Sequence, residues 1–308
     1  MAKVLITGGA GFIGSRIAQN CLNSGLEVRV FDLGKSTNPK VHESITGSIL
    51  DPYEVSLAAR GCDYIVHAAA ALGVERTESR RLECLYINIQ GTVNVMDAAV
   101  KERAKKILFT SSSEVYGDIH TAAYDENTPL NPKSNYAITK LVGEEYCRAY
   151  QQRYGIEYSI VRFFSVYGEG QANQFVVPKF YQAIQQNKSP QIYGDGKQIR
   201  SFCDVNDAAR GATLALLSKE ANSEVFNIGN ELEPLTIAEL AEKMIAVSGK
   251  NLKPQFVGFE QSDRNAQREI YRRIPCIEKA KKILGYTPTI SLEEGLHQIF
   301  KTKPSLAG

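Results

Sequence analysis

The sequence lacks the features that most often announce a binding partner. Its 308 residues carry a formal net charge of only +2, too little for a chain that works on nucleic acid or an anionic membrane surface. No apolar run approaches the length of a bilayer span. The six cysteines, at 21, 62, 84, 147, 203 and 276, include no C-x-x-C pair. The four histidines, at 42, 67, 120 and 297, make no metal-ligand cluster. No metal site is expected, and reduced thiols in a cytoplasmic protein are. There is no internal repeat and no low-complexity tract, and with an apolar strand starting at residue 3 no signal peptide is expected. What remains is a chain of enzyme-like composition, long enough for one or two domains with a sizeable core.

What is present begins at the glycines. Lys3 to Thr7 is a short apolar run that reads as a buried strand. It leads into Thr7-Gly8-Gly9-Ala10-Gly11-Phe12-Ile13-Gly14 and an amphipathic helix over 15–24, with Ile17, Ala18, Cys21 and Leu22 on one stripe. A second strand, Glu27 to Phe31, stops at Asp32. Glycines 9, 11 and 14 satisfy G-x-G-x-x-G, and Gly8 adds a G-x-x-G-x-x-G reading. Such a turn lets the backbone approach a pyrophosphate at a helix N-terminus. A carboxylate at Asp32, 18 residues past Gly14, suits the adenosine ribose and repels a 2′-phosphate, which favours NAD over NADP.

The second informative stretch is Tyr136-Ala-Ile-Thr-Lys140, a phenol and an ammonium one helical turn apart on one face. A free tyrosine titrates near 10, too high for a base at neutral pH. An ammonium at about 4 Å, with an effective dielectric near 20, favours phenolate by roughly 4 kcal/mol. That is about three pKa units, so the pair predicts a phenol near 7, with a positive nicotinamide ring pushing the same way.

Strand and helix patterns then alternate: strands at 64–68, 106–110 and 158–163, helices at 88–101 and 136–154. The alternation predicts a doubly wound parallel α/β sheet, a Rossmann fold, with a smaller mixed C-terminal domain. The expected division is a dinucleotide domain over 1–166, with 203–230 returning to it, and a substrate domain over 167–202 and 231–308.

Four motifs in order carry a resemblance: the glycine turn at 7–14, Ser111-Ser-Ser-Glu-Val-Tyr-Gly117, Tyr136-x-x-x-Lys140, and Tyr193-Gly-Asp-Gly-Lys-Gln-Ile-Arg200. With Lys279-Ala-Lys-Lys-Ile-Leu-Gly-Tyr-Thr-Pro288, the chain resembles an extended short-chain dehydrogenase/reductase of the nucleotide-sugar epimerase/dehydratase group, the UDP-galactose 4-epimerase relatives. The resemblance implies NAD held by Gly8, Gly11, Phe12, Ile13, Gly14 and Asp32, with further contacts from Ser48, Ile49, Ala68, Ala69, Asn88, Tyr136, Lys140 and Phe164. Gly47-Ser48 stands where the family often has Gly-Asp. The implied catalytic set is Tyr136, Lys140 and Ser112. Ser113 and Glu114 resemble the pair that handles a further proton in UDP-glucuronate decarboxylases and GDP-mannose dehydratases; ordering of the loop is the alternative role of Glu114.

For a nucleotide diphosphate sugar the resemblance implies contacts from Ser112, Ser165, Phe175, Val176, Gln191, Ile192, Tyr193, Arg200 and a second arginine, Arg264 or Arg268. Ser165 stands where epimerases commonly have Asn. The implied chemistry runs through a 4-keto sugar. C4 epimerisation is the first expectation, decarboxylation or 4,6-dehydration the second, and a non-catalytic NAD-binding scaffold the distant one. A homodimer through helices 88–101 and 136–154 is expected from the same resemblance.

Overall fold

The computed structural model describes residues 1–73, 79–119, 121–258 and 270–301. The strands β1 (Lys3–Thr7), β2 (Glu27–Asp32), β3 (Glu43–Thr46), β4 (Tyr64–His67), β5 (Lys106–Ser112), β6 (Glu157–Phe163) and, much later, β11 (Glu224–Ile228) form one sheet in the order β11-β6-β5-β4-β1-β2-β3. Every neighbouring pair in it is parallel.

Strand periodicity explains why both faces are covered. Val4 and Ile6 of β1 enter the core on one face and Leu5 the core on the other; Leu108 of β5 faces the first, Ile107 and Phe109 the second. One face is closed by α1 (Phe12–Asn23) and α6 (Val205–Leu217), which bring Ile17, Cys21, Ala208 and Ala212 to it. The other is closed by α2 (Pro52–Ala59), α3 (Arg81–Lys101) and α4 (Asn135–Tyr154), with Val55, Val95, Met96 and Cys147. Each fully buried aliphatic side chain contributes roughly 1.5–3 kcal/mol over its exposed form.

Residues past the main sheet build a separate apolar cluster. Val177 and Ile184 of α5 (Val176–Gln185), Leu240 and Met244 of α7 (Ile237–Ser248), Ile192 and Leu296 pack together. Two small sheets accompany them. β8 (Gln191–Tyr193) pairs with β13 (Gln255–Val257), and β9 (Ile199–Ser201) lies between β12 (Pro234–Thr236) and β14 (Arg272–Arg273).

Helix boundaries differ from the sequence expectation in ways that bear on the site. α1 starts directly after Gly11, so Phe12, Ile13 and Gly14 are its first turn rather than a loop. α3 begins at Arg81, seven residues earlier than the periodicity predicts; its first two turns carry Leu82, Cys84, Leu85, Tyr86 and Ile87, of which only Cys84 is buried, so the apolar residues there do not mark one inward stripe. α4 is set by Ser134, whose hydroxyl caps the Ala137 amide, and closed by Gly155 in the left-handed region. That cap fixes the first turn, where Tyr136 sits.

Candidate active site

The sheet order reverses between β1 and β4, and the crevice at the carboxyl ends of these strands is the binding place this fold offers. A cavity of about 740 Å³ opens there. Its lining includes Gly8, Gly11, Phe12, Ile13, Gly14, Asp32, Ser48, Ile49, Ala68 and Ala69 from the first half. It also includes Ser112, Ser113, Glu114, Tyr136, Lys140, Ser165, Phe175 and Arg200. A smaller cavity of about 140 Å³ shares Ser165, Phe175 and Arg200 with it and adds Val176, Gln191, Ile192 and Tyr193.

The glycine turn is shaped for close approach. Gly8 has φ +72°, and a Cβ there would lie 2.5 Å from the Ala69 amide nitrogen; on Gly14 it would lie 2.1 Å from the Gly8 carbonyl oxygen. Gly11 is the N-cap of α1 without any side-chain cap bond, which leaves the helix terminus for an anion. Asp32 accepts the Ala10 amide at 2.9 Å and the Leu33 amide at 2.7 Å, holding the turn while it lines the cavity. This cradle fits the diphosphate and ribose of a dinucleotide.

Two residues expected at the cofactor do not line either cavity. Asn88 is buried and spans the backbone of Ala71, accepting its amide at 2.7 Å and donating to its carbonyl at 3.0 Å, with a further bond to Thr139. It shapes the loop after β4 from behind. Phe164 is fully buried against Tyr116 and Tyr124. Arg264 and Arg268 lie outside the described residues.

The Tyr136–Lys140 pair needs a correction. The Lys140 ammonium stands 5.6 Å from the centre of the Tyr136 ring and donates to the Thr110 carbonyl at 2.7 Å, rather than bonding the phenol oxygen. Burial and then the charge of Glu114 push the Tyr136 phenol above its ordinary value, and burial lowers the Lys140 ammonium to about 8. Burial rather than the ammonium therefore dominates the surroundings of the phenol in this structure. Thr110 uses one of three ammonium donors, and Lys140 still lines the cavity.

Ser112 ends β5, and its hydroxyl accepts the Glu114 amide at 3.2 Å, starting a tight turn over Ser113–Tyr116. Glu114 accepts the Ser134 hydroxyl at 2.9 Å, and its other oxygen lies 3.8 Å from Nη1 of Arg273. Arg273 was not anticipated. It sits on β14, paired in parallel with β9 so that Arg273 is the register partner of Arg200, and both arginines line both cavities. The basic pair Arg272-Arg273 before the closing helix was its only signal; the partnership spans more than 70 residues.

Three buried polar atoms on the cavity wall have no hydrogen-bond partner among the described residues: Ser165 Oγ, Gln171 Oε1 and Arg273 Nε. Ser165 also has φ +40°, a strained backbone for a residue with a side chain. Orphaned groups of this kind mark a site meant for a polar ligand. Among the described residues no group of three metal-ligating side chains occurs, and no helix is long and apolar enough to cross a membrane. The cysteines are all free.

Comparison with known proteins agrees with this geometry. Residues 4–229 match the model of the NAD dependent epimerase/dehydratase family. The chain is 35% identical to UDP-N-acetyl-alpha-D-glucosaminuronate decarboxylase of Bacillus cytotoxicus over 96% of each chain. It is 35% identical to a putative UDP-glucose 4-epimerase of Methanocaldococcus jannaschii, again over 96% of each. The crystal structure of UDP-glucuronic acid 4-epimerase from Bacillus cereus, in complex with UDP-glucuronic acid and NAD, superposes with a TM-score of 0.87 at 30% identity, covering 97% of this chain and 98% of that one. The chain therefore belongs to the NAD dependent epimerase/dehydratase family.

Proposed function

We propose that the protein is an NAD-dependent enzyme that oxidises C4 of a nucleotide diphosphate hexuronate and releases the C6 carboxylate as carbon dioxide. The observation that carries the choice of sugar is the arginine pair. Arg200 and Arg273 are register neighbours at the cavity wall, and among the described residues Glu114 is the one carboxylate paired with Arg273. Two adjacent guanidinium groups suit a ligand with two anionic parts, a diphosphate and a carboxylate. The likeness to a uronate decarboxylase supports the same reading.

The glycine turn, Asp32 and the wall of Ser48, Ile49, Ala68 and Ala69 would hold NAD, with Lys140 donating to its nicotinamide ribose. Bound NAD⁺ would accept the C4 hydride and later return it, and its charge would favour the tyrosine phenolate. Tyr136 takes the C4 hydroxyl proton, and Ser112 hydrogen-bonds the same oxygen as it becomes a ketone. The 4-keto uronate is a β-keto acid. Its C5–C6 bond breaks, carbon dioxide leaves, and the electron pair passes to the C4–C5 enolate. Arg273 orients the departing carboxylate, and Glu114, with Ser113 beside it, supplies the proton that C5 needs. Tyr136 returns its proton to the C4 oxygen at the end, so the cycle is redox-neutral. The nucleotide base lies against Phe175, Val176 and Gln191 to Tyr193.

C4 epimerisation is the second reading. The bond from Ser134 to Glu114 favours it, because a carboxylate that only orders the helix cap leaves Tyr136, Lys140 and Ser112 as the whole catalytic set. Release of labelled carbon dioxide from C6-labelled UDP-glucuronate and UDP-N-acetylglucosaminuronate separates the two. The exposed Leu82, Tyr86 and Tyr154 on α3 and α4 support a homodimer through those helices; a monomeric mass in solution would remove that part.

A further inference from the structure

One buried polar chain links the elements on which the site residues stand. Glu144, two helical turns after Tyr136 on α4, accepts Nε and Nη2 of Arg162 at 2.9 and 2.7 Å and the Ser111 hydroxyl at 2.6 Å. Arg162, on β6, donates its Nη1 to the Tyr116 hydroxyl at 2.8 Å. That hydroxyl donates in turn to Asn227 Oδ1 at 2.7 Å. From β11, Asn227 Nδ2 reaches the Tyr124 carbonyl at 2.9 Å and the Cys276 carbonyl at 3.3 Å. Cys276 lies three residues past Arg273, and Tyr116 two past Glu114. Tyr116, Glu144, Arg162 and Asn227 are all buried.

We propose that the Tyr116 hydroxyl is a positioning group, which holds the Ser112–Glu114 turn and the Arg273 strand in one frame with the helix that carries Tyr136. Packing alone does not call for the hydroxyl. The ring lies against Tyr124 and Phe164 with centroids 5.2 and 5.9 Å away, which a phenylalanine would reproduce. Nor is a buried ionic chain a strong source of stability, since its desolvation offsets much of its attraction. Arg162 and Asn227 are also register partners on β6 and β11, and Glu126 bridges them, its carbonyl accepting Arg162 Nη1 at 3.4 Å and its carboxylate the Asn227 amide at 2.7 Å. Removing the hydroxyl therefore releases the 113–116 turn from a frame that itself stays closed. The turn carries Glu114, which serves the later step with Arg273, while Tyr136, Lys140 and Ser112, which perform the oxidation, stand on α4 and at the end of β5. The assignment of those steps rests on the function proposed above; the mechanical coupling does not.

The test is Tyr116→Phe in the full chain, with Arg162→Lys as a second variant that keeps a positive charge on Glu144 but cannot span to Tyr116 in the same geometry. The expected result with UDP-glucuronate is unchanged NAD affinity, unchanged KM and unchanged reduction of the nicotinamide, read by its near-ultraviolet absorbance. Overall kcat falls about tenfold or more, as for a misplacement well under 1 Å. Amide hydrogen exchange speeds up at 113–118 and 270–276 while the glycine turn keeps its protection. Unchanged kcat and unchanged exchange in both variants would overturn the proposal, as would loosening spread evenly over the chain. If the unaltered protein turns over no nucleotide sugar, the function proposed above fails, and the exchange pattern alone still decides this one.

Discussion

Glu114 and Arg273 meet at the cavity wall with 3.8 Å between Oε1 and Nη1, although they come from a turn and a strand 159 positions apart in the sequence. One oxygen of Glu114 is held by Ser134, the residue that caps the helix of Tyr136. Arg273 thereby joins an acid, a helix cap and a neighbouring arginine in one small region. Substituting Glu114→Gln is expected to leave C4 oxidation intact and slow product formation by about 10²-fold or more. Arg273→Met is expected to raise KM for a uronate far more than for UDP-glucose. Steady-state kinetics with both sugars checks this, and equal effects on the two would argue against a carboxylate partner for Arg273.

Among the described residues Tyr136 is the only tyrosine lining the larger cavity. Tyr136→Phe is expected to lower turnover by about 10²- to 10⁴-fold and to leave NAD affinity unchanged in a fluorescence titration. Near-normal turnover in this variant would sink the proposed proton transfer.

Gly14 is hemmed in by backbone. A Cβ there would fall 2.1 Å from the Gly8 carbonyl oxygen, and no side-chain rotation relieves a clash with main chain. Gly14→Ala is therefore expected to displace the turn and lose most NAD binding while the sheet still forms. Titration with NAD beside a circular dichroism melt distinguishes this from simple unfolding.

His67 supplies a pH dependence. Its ring is buried between Thr7 at 2.8 Å and Thr92 at 3.1 Å, and burial, with the nearby Lys140 charge, lowers its pKa from 6.5 to about 3. Between those values the unfolded chain carries a proton that the folded chain does not, so stability is full above 6.5 and falls as the pH drops toward 3. The slope from this group is roughly 1.4 kcal/mol per pH unit. Urea unfolding at about pH 7 and about pH 5 measures it, and His67→Gln is expected to shrink the difference between the two by about 2 kcal/mol. An unchanged slope in the variant would show that other groups set the acid limit.

The parts of the fold legible in the sequence were those with local causes. The glycine turn, Asp32, and the apolar runs of β1, β2, β5 and β6 follow from nearest-neighbour chemistry, and the doubly wound sheet follows from their alternation with helices. β3 went unread because Glu-Ser-Ile-Thr has neither an apolar run nor a clean alternation, and its pairing with β2 decides it. Arg273 was invisible for a stronger reason: only the register of β14 on β9 brings it to Arg200. The Tyr136–Lys140 spacing places both residues at the cavity but carries no information about burial, which pushes the phenol up and the ammonium down. Asn88, expected at the cofactor, has its amide engaged by Ala71 and Thr139, which sequence position alone does not reveal.

The most direct test of the central claim is proton NMR of the reaction with UDP-glucuronate in deuterated water, with no NAD added beyond what the purified protein needs to be saturated. The account predicts a UDP-pentose carrying one deuterium at C5, where carbon dioxide has been replaced by a solvent-derived deuteron. A C4 epimer that keeps its carboxylate would contradict decarboxylation and leave Glu114 as a residue that orders the helix cap.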